Sequence, residues 1–125
     1  TEMTNEVMAM GPYFRAVIDS LDFFMQREDP SRVVAMLRMM QAHTQLYRGI
    51  LFITVSNDTI TPAIKQEMAA IADMVCDFKV RTIGSDFETS MIVSKFRNAP
   101  ENLSIMVYRV TPEEGITPET VERIA

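Results

Sequence analysis

Two short apolar runs, each followed at once by polar residues, constrain the fold of this chain most strongly. The first is the predicted strand from Phe14 to Asp19, in which apolar residues extend to Ile18 before Asp19 and Ser20. The second, Ile50 to Val55, is followed by Ser56-Asn57-Asp58. Between them, apolar residues recur at steps of three and four and predict an amphipathic helix from Pro30 to Arg48. Strands that alternate with helices in this way indicate parallel strands joined by crossover helices. Continuous apolar character further predicts that the second strand is buried on both faces.

Capping signals set the expected helix boundaries. Asp29-Pro30 and Thr61-Pro62 each place a capping side chain before a proline in the first turn, which predicts two helix starts. Gly49 is expected to end the first of these helices. Thr117-Pro118 repeats the same signature and predicts a last short helix.

The pattern changes after Gly84. Met74 to Val80 is a third candidate strand, whereas Ser90 to Arg97 and Leu103 to Val110 read as an antiparallel hairpin joined by about five residues. The predicted class is therefore α/β, with parallel core strands followed by an antiparallel hairpin. No internal repeat, linker or low-complexity tract divides the chain, so a single domain spanning residues 1–125 is expected.

Composition excludes several classes of function. A net charge of −5 over 125 residues argues against non-specific nucleic-acid binding. The longest apolar runs are too short to cross a bilayer, and the acidic first residues do not resemble a signal peptide, so a cytoplasmic protein without a membrane span is expected. The single cysteine, Cys76, excludes an intrachain disulfide and a thiolate metal cluster. His43 stands alone, which excludes a zinc site around it and predicts a helix-surface or half-buried side chain.

Asp19 is the first candidate site residue. It ends a strand beside Ser20, and Ser56 follows the next strand. Ligands of open α/β sheets bind at the carboxyl ends of the strands, and clustered oxygen ligands suit Mg²⁺. The alternative is that Asp19 only caps a turn before Leu21 to Met25.

Lys95 and Arg97 form the second candidate. Their spacing on a predicted strand places both cations on one face, where a phosphate would satisfy them together. A solvated strand face is the alternative. Arg109 on the returning strand either extends this patch or pairs with Glu113 or Glu114.

None of the four glycines is followed by lysine. A phosphate-binding loop needs a glycine-rich turn followed by Lys-Ser/Thr, so that backbone N–H groups surround the phosphates. This chain does not contain such a loop.

With these residues identified, the chain resembles the carboxyl-terminal part of a RecA-like ATPase domain of the KaiC-like group. Arg15 to Leu21 is similar to the Walker B strand of that group, and Gly49 to Ser56 is similar to the next core strand with its terminal hydroxyl. Ser94-Lys95-Phe96-Arg97 is similar to the Lys-x-Arg of the late hairpin. The order and spacing of the three motifs agree over nearly the whole chain. The resemblance implies a partial RecA-like three-layer sandwich.

The same resemblance implies roles for five residues. Asp19 would hold Mg²⁺ through water, and Ser20 and Ser56 would line the phosphate side. Lys95 and Arg97 would be the catalytic pair, reaching ATP bound to a neighbouring subunit of a homo-oligomer. The implied function of the parent protein is ATP and magnesium binding in signal transduction or regulation. Because the P-loop and the glutamates that precede the Walker B strand have no counterpart here, the chain alone is expected to bind ATP weakly or not at all, and its own enzymatic activity is left open.

Two alternatives to the ATPase remain at this point. A nucleotide-independent oligomerisation or interaction module would also account for a half-domain, whereas a RadA-type DNA recombinase would need basic loops that the acidic balance disfavours. In the KaiC-like topology the P-loop strand lies between the strand ending at Ser56 and the strand containing Asp77. A chain without that strand would have a gap in the middle of its sheet. We expect the gap to be closed by direct pairing of the two flanking strands, by exchange of elements with a second copy, or by the missing half in the parent protein.

Overall fold

The computed structural model describes residues 2–98 and 105–119, and the chain divides into two compact units, Thr1–Ala72 and Asp73–Ala125. None of the described helices is both long enough and apolar enough to cross a membrane. The elements of the first unit are α1 (Glu2–Met8), β1 (Arg15–Ile18), α2 (Asp22–Arg27), α3 (Pro30–Leu46), β2 (Ile50–Ile53), a 3₁₀ turn (Asn57–Thr59) and α4 (Pro62–Ile71). The elements of the second unit are β3 (Met74–Ile83), β4 (Asp86–Phe96), β5 (Ile105–Thr111) and β6 (Gly115–Glu119).

The first unit is built around one parallel strand pair. β1 and β2 pair from Arg15 opposite Ile50 to Ile18 opposite Ile53, and α3 connects them, which confirms the predicted strand, helix, strand unit. Apolar residues of the helices and of the segments flanking β1 form the buried core. Its fully or nearly fully buried members are Val7, Phe14, Leu21, Val33, Leu37 and Met40.

Each of these two strands buries only one face. Ile18 and Ile53 pack against the core, whereas Val17 is 69% exposed and Phe52 is 61% exposed. The prediction that the second strand is buried on both faces is therefore wrong. A parallel strand is buried on both sides only where elements cover both faces of its sheet, and the core of this unit lies on one face.

The predicted helix starts are confirmed in detail. Asp29 Oδ1 accepts a hydrogen bond of 3.0 Å from the Ser31 backbone N–H, and Thr61 Oγ1 accepts one of 3.3 Å from the backbone N–H of Ile64. The Asp29 carboxylate also accepts from the Ser31 hydroxyl at 2.9 Å. These bonds satisfy N–H groups that have no partner within the helix.

The end of α3 differs from the expected glycine cap. Arg48, with φ of 54°, is the left-handed residue, and its N–H and that of Gly49 bind the carbonyls of Gln45 and Thr44 at 3.3 and 2.9 Å. This is a Schellman motif with arginine in the usual glycine position. Gly49 is required for another reason, because a Cβ there would lie 2.3 Å from Cε1 of the Phe14 ring.

His43 is buried on α3, and the predicted helix-surface or half-buried placement is wrong. Its Nε2 lies 3.0 Å from the carbonyl oxygen of Met10, and its ring centroid lies 4.4 Å from that of Tyr47. The imidazole therefore satisfies a backbone carbonyl inside the core.

The second unit is a four-stranded antiparallel sheet in the order β3-β4-β5-β6. Pairing of β4 with β5, including Thr89 opposite Tyr108, confirms the predicted hairpin. The turn expected between these strands lies, apart from Asn98, outside the described residues.

Two predictions for the second unit are wrong. β3 pairs antiparallel with β4 and does not extend the parallel sheet. The expected direct pairing of the strand ending at Ser56 with the strand containing Asp77 is therefore not observed. Thr117-Pro118 lies in β6 rather than at a helix start, with Tyr108 opposite Pro118 and Arg109 opposite Thr117. Pairing with β5 outweighs the local capping signal there.

Candidate functional site

The site predicted at the carboxyl end of β1 begins with Asp19. Its carboxylate is exposed, and Oδ1 accepts a hydrogen bond of 2.7 Å from the hydroxyl of Thr54 at the end of β2. Backbone bonds from Thr54 to Ile18, and from Leu21 to Thr54, at 3.0 and 2.9 Å, continue the contact between the two strand ends. The peptide bond between Asp19 and Ser20 is cis. The parallel pair thus presents Asp19 at the edge where ligands bind in open α/β sheets.

A second carboxylate, Asp22, binds the loop that follows β2. As the first residue of α2, it accepts the Ser56 backbone N–H on Oδ1 and the Ser56 hydroxyl on Oδ2, both at 2.8 Å. The hydroxyl of Thr59 lies 3.0 Å from Oδ1, and the Asp22 N–H donates to Ser20 Oγ at 3.2 Å. The bond from the Ser56 backbone N–H, followed by that from its hydroxyl, holds the pKa of Asp22 below its usual range.

The two carboxylates therefore differ in what they offer a ligand. Asp22 is occupied on both oxygens, whereas Oδ2 of Asp19 accepts no hydrogen bond from the described residues. Asp19 and Ser56 were expected to share this edge, but they do not bind each other: Asp19 accepts from Thr54, whereas the hydroxyl of Ser56 donates to Asp22. Among residues 2–98 and 105–119, no group of three or more His, Cys, Asp or Glu side chains is placed to hold a metal ion. Proteins hold Mg²⁺ through as few as one or two carboxylates while it keeps waters or phosphate oxygens, so the one open oxygen of Asp19 would suit that ion only in hydrated form.

Lys95 and Arg97 lie in the second unit. Lys95 is half-buried on β4, opposite Val75, whereas Arg97 lies one residue beyond the strand. Arg97 Nη1 is 2.7 Å from Oδ1 of Asp73, and its backbone N–H donates to the Asp73 carbonyl at 2.9 Å. The expectation that both cations lie on one strand is wrong for Arg97, because β4 ends at Phe96. A register irregularity opposite Val75 and Cys76 also interrupts the regular alternation just before Lys95.

Arg109 neither extends that pair nor binds the expected carboxylates. Its guanidinium forms an ion pair with Glu119 on β6, rather than with Glu113 or Glu114. Because Glu119 opposes Val107 in the β5–β6 register, this is a diagonal cross-strand pair on one face of the sheet.

Residues 2–109 match a family of unknown function (DUF7125). The chain belongs to this family. No curated protein matches the chain. Among solved structures, the crystal structure of the flagellar accessory protein FlaH from Methanocaldococcus jannaschii is similar, with a TM-score of 0.71 and 19% sequence identity. The match covers 94% of this chain and 54% of FlaH, so the chain spans about half the length of that protein.

For this family member, the similarity to FlaH confirms the predicted fold class, a RecA-like α/β architecture. At 19% identity it shows the fold alone. The KaiC-like assignment, the nucleotide and the roles of the candidate residues therefore stay predictions.

Sequence reasoning missed Asp22 and Thr54. Asp22 carried one usable signal, since an acid in the first turn of a helix is well placed to accept N–H groups. Thr54 carried none, because it was expected inside a strand that in fact ends at Ile53. Which hydroxyl meets which carboxylate depends on where each strand ends, and strand ends are set by tertiary contacts.

Proposed function

We propose that this chain supplies the magnesium side of a nucleotide site in a KaiC-like ATPase of RecA fold. The observation that supports this most directly is the exposed Asp19 carboxylate, which lies at the carboxyl end of β1 with Oδ2 open to a ligand. In this kind of sheet the carboxyl edge is where phosphates and their metal ions are bound. The glycine-rich phosphate loop would come from sequence outside this chain.

Each residue of the edge has a distinct task in this proposal. Asp19 would hold hydrated Mg²⁺, and Thr54 orients the Asp19 carboxylate through Oδ1. Ser20 and Ser56 line the phosphate side. Because the backbone N–H and the hydroxyl of Ser56 both donate to Asp22, Ser56 would have to release that carboxylate before donating to a phosphate. Bound Mg²⁺ supplies charge neutralisation on the phosphate oxygens of ATP.

Lys95 and Arg97 act on ATP bound to a neighbouring subunit of a homo-oligomer. For this, Arg97 exchanges the carboxylate of Asp73 for a phosphate. The side chains of that ion pair are 41% and 57% exposed, and exposed pairs of this kind contribute about 0–1 kcal/mol, so breaking this one pair costs little. Coupling of nucleotide state to assembly through such a contact suits a protein of signal transduction or regulation.

The magnesium side is tested by NMR with Mn²⁺ as a paramagnetic substitute for Mg²⁺. Saturable line broadening is expected around Asp19 and Ser20, competed by excess Mg²⁺ and lost in Asp19→Asn. Asp58→Asn, which removes an exposed carboxylate of the nearby loop, is the matched control and should leave the broadening intact. Equal weak broadening at carboxylates all over the surface, unchanged in Asp19→Asn, would contradict the proposal.

A nucleotide-independent interaction module is the second candidate. It is favoured by the exposed apolar side chains of both sheets, such as Val17, Phe52, Val80 and Phe87. Such surfaces on a soluble protein mark interaction sites. An intact Asp19 would then have no role in cation binding, so the Mn²⁺ experiment separates the two candidates.

A further inference from the structure

The antiparallel sheet of the second unit has one apolar and one charged face. Residues directly opposite each other in antiparallel strands project from the same face, and successive residues alternate. The register places large apolar side chains together on one face, where Val93 is buried and Met91 is half-buried. Six others on this face are exposed and are here called the apolar face: Phe78, Val80, Phe87, Met106, Val110 and Ile116. They come from all four strands.

Charges are confined to the other face. The ion pair of Arg81 with Glu88, whose N and O atoms lie 2.9 Å apart, and the pair of Arg109 with Glu119 both lie there. Within residues 76–82, 87–93, 106–110 and 116–118, no Asp, Glu, Lys or Arg shares the apolar face. Such a division is typical of a sheet with one solvated face and one packed face.

The apolar face is nevertheless open to solvent. Its six side chains are between 43% and 72% exposed. At about 200 Å² each, the value for an aromatic residue and an upper value for the valines among them, they offer at most roughly 750 Å² of accessible surface. That area approaches the ~800 Å² that each partner contributes to a stable protein interface, and it exceeds the largest apolar patch of most monomers.

We infer that the apolar face binds the same face of a second copy of this chain, in a two-fold symmetric, sheet-on-sheet dimer. An uncharged surface does not repel its own copy, whereas the rest of a chain with net charge −5 does. The face also offers no charge by which a charged partner would be selected. Two sheets that pack face to face lie about 10 Å apart with interdigitated side chains, and a face built from four strands is broad enough for such packing. The inference does not depend on the nucleotide site.

Sedimentation velocity over a range of protein concentrations tests the inference. The unmodified chain should form a dimer, and Ile116→Lys should raise the dimer dissociation constant at least about tenfold, because two-fold symmetry buries two lysines in an apolar interface. Thr117→Lys is the matched control: it adds the same charge one residue away, on the opposite face of β6, and should leave the dimer intact.

Two outcomes would overturn the inference. A chain that is monomeric throughout the concentration range would mean that something other than a second copy covers the face. Equal weakening by Ile116→Lys and Thr117→Lys would indicate pairing through the edge of β6. Circular dichroism checks the fold of each variant, and Val110→Lys, on the same face of β5, replaces Ile116→Lys if the latter does not fold.

Discussion

Asp19 and Asp22 lie three residues apart, yet their carboxylates accept hydrogen bonds from different residues. Asp19 shares one oxygen with Thr54 and leaves the other exposed, whereas Asp22 uses both oxygens to bind Ser56 and its loop. The carboxylate that is free for a ligand is thus oriented by the strand pair, and the occupied one holds the adjacent loop. An acid at a strand end and an acid at a helix start are therefore separable in function.

The lowered pKa of Asp22 predicts that the stability of the fold depends on pH. Since the pKa of Asp22 is lowered in the folded state, its contribution is present above the unfolded-state pKa and is lost as pH falls through the lowered value. We expect Asp22→Asn to be less stable than the unmodified chain at neutral pH, because the amide cannot accept from Ser56 on both sides. We also expect the stability difference to shrink as the pH falls from neutral through the lowered pKa of Asp22.

Urea denaturation at several pH values measures this effect. Asp58→Asn changes an exposed carboxylate in the loop that Asp22 binds, and it is the matched control for the change of net charge. Parallel pH profiles for Asp22→Asn and the unmodified chain would show that the hydrogen bonds of Asp22 do not stabilise the fold.

At the scale of elements, the caps of α3 and α4 follow directly from their sequences, but the end of α3 does not. Asp29 and Thr61 bind N–H groups two and three residues ahead, so the signal and its partner are local. The C-terminal cap, in contrast, uses Arg48 in a left-handed conformation. Gly49 lies so close to the Phe14 ring that a Cβ would collide with it. Because Phe14 is far from Gly49 in the sequence, no local pattern predicts this contact.

Arg48→Gly is expected to stabilise the protein by about 0.5–1 kcal/mol, because glycine adopts the left-handed conformation without the steric cost that arginine bears. Arg38→Gly is the matched control, since it makes the same replacement at an exposed position within α3. It should destabilise the protein by about 1 kcal/mol. Chemical denaturation of both variants gives the comparison, and loss of stability in Arg48→Gly would show that the arginine side chain contributes more than the conformation costs.

At the scale of the whole molecule, the chain combines a parallel strand pair that carries Asp19 at its end with an antiparallel sheet whose strand β4 carries Lys95 and ends one residue before Arg97. The fold is similar to that of FlaH over 94% of this chain but only 54% of FlaH. Under the proposed function, this chain would supply only the magnesium side of a nucleotide site, and the glycine-rich loop would come from other sequence.

Equilibrium titration with a fluorescent ATP analogue and Mg²⁺ should consequently show weak or no binding to this chain. Backbone N–H groups of a glycine-rich loop normally supply most of the contacts to the phosphates, and none of the four glycines here is followed by lysine. Tight stoichiometric binding would show that the phosphate cradle is within the chain after all. The same titration with Asp19→Asn shows whether any binding observed depends on the candidate site.

The amino-acid sequence by itself determined the α/β class, the parallel unit around α3, the two helix starts, the late hairpin and Asp19 as an acid at a strand end. Each of these rests on contacts between residues close in sequence or on a regular apolar period. The tertiary structure alone decided that β3 joins the antiparallel sheet, that Thr117-Pro118 extends a strand, and that Asp19 meets Thr54 while Asp22 binds Ser56. Those outcomes depend on strand register and on where strands end, which are set by partners about 10 to 40 residues away along the chain.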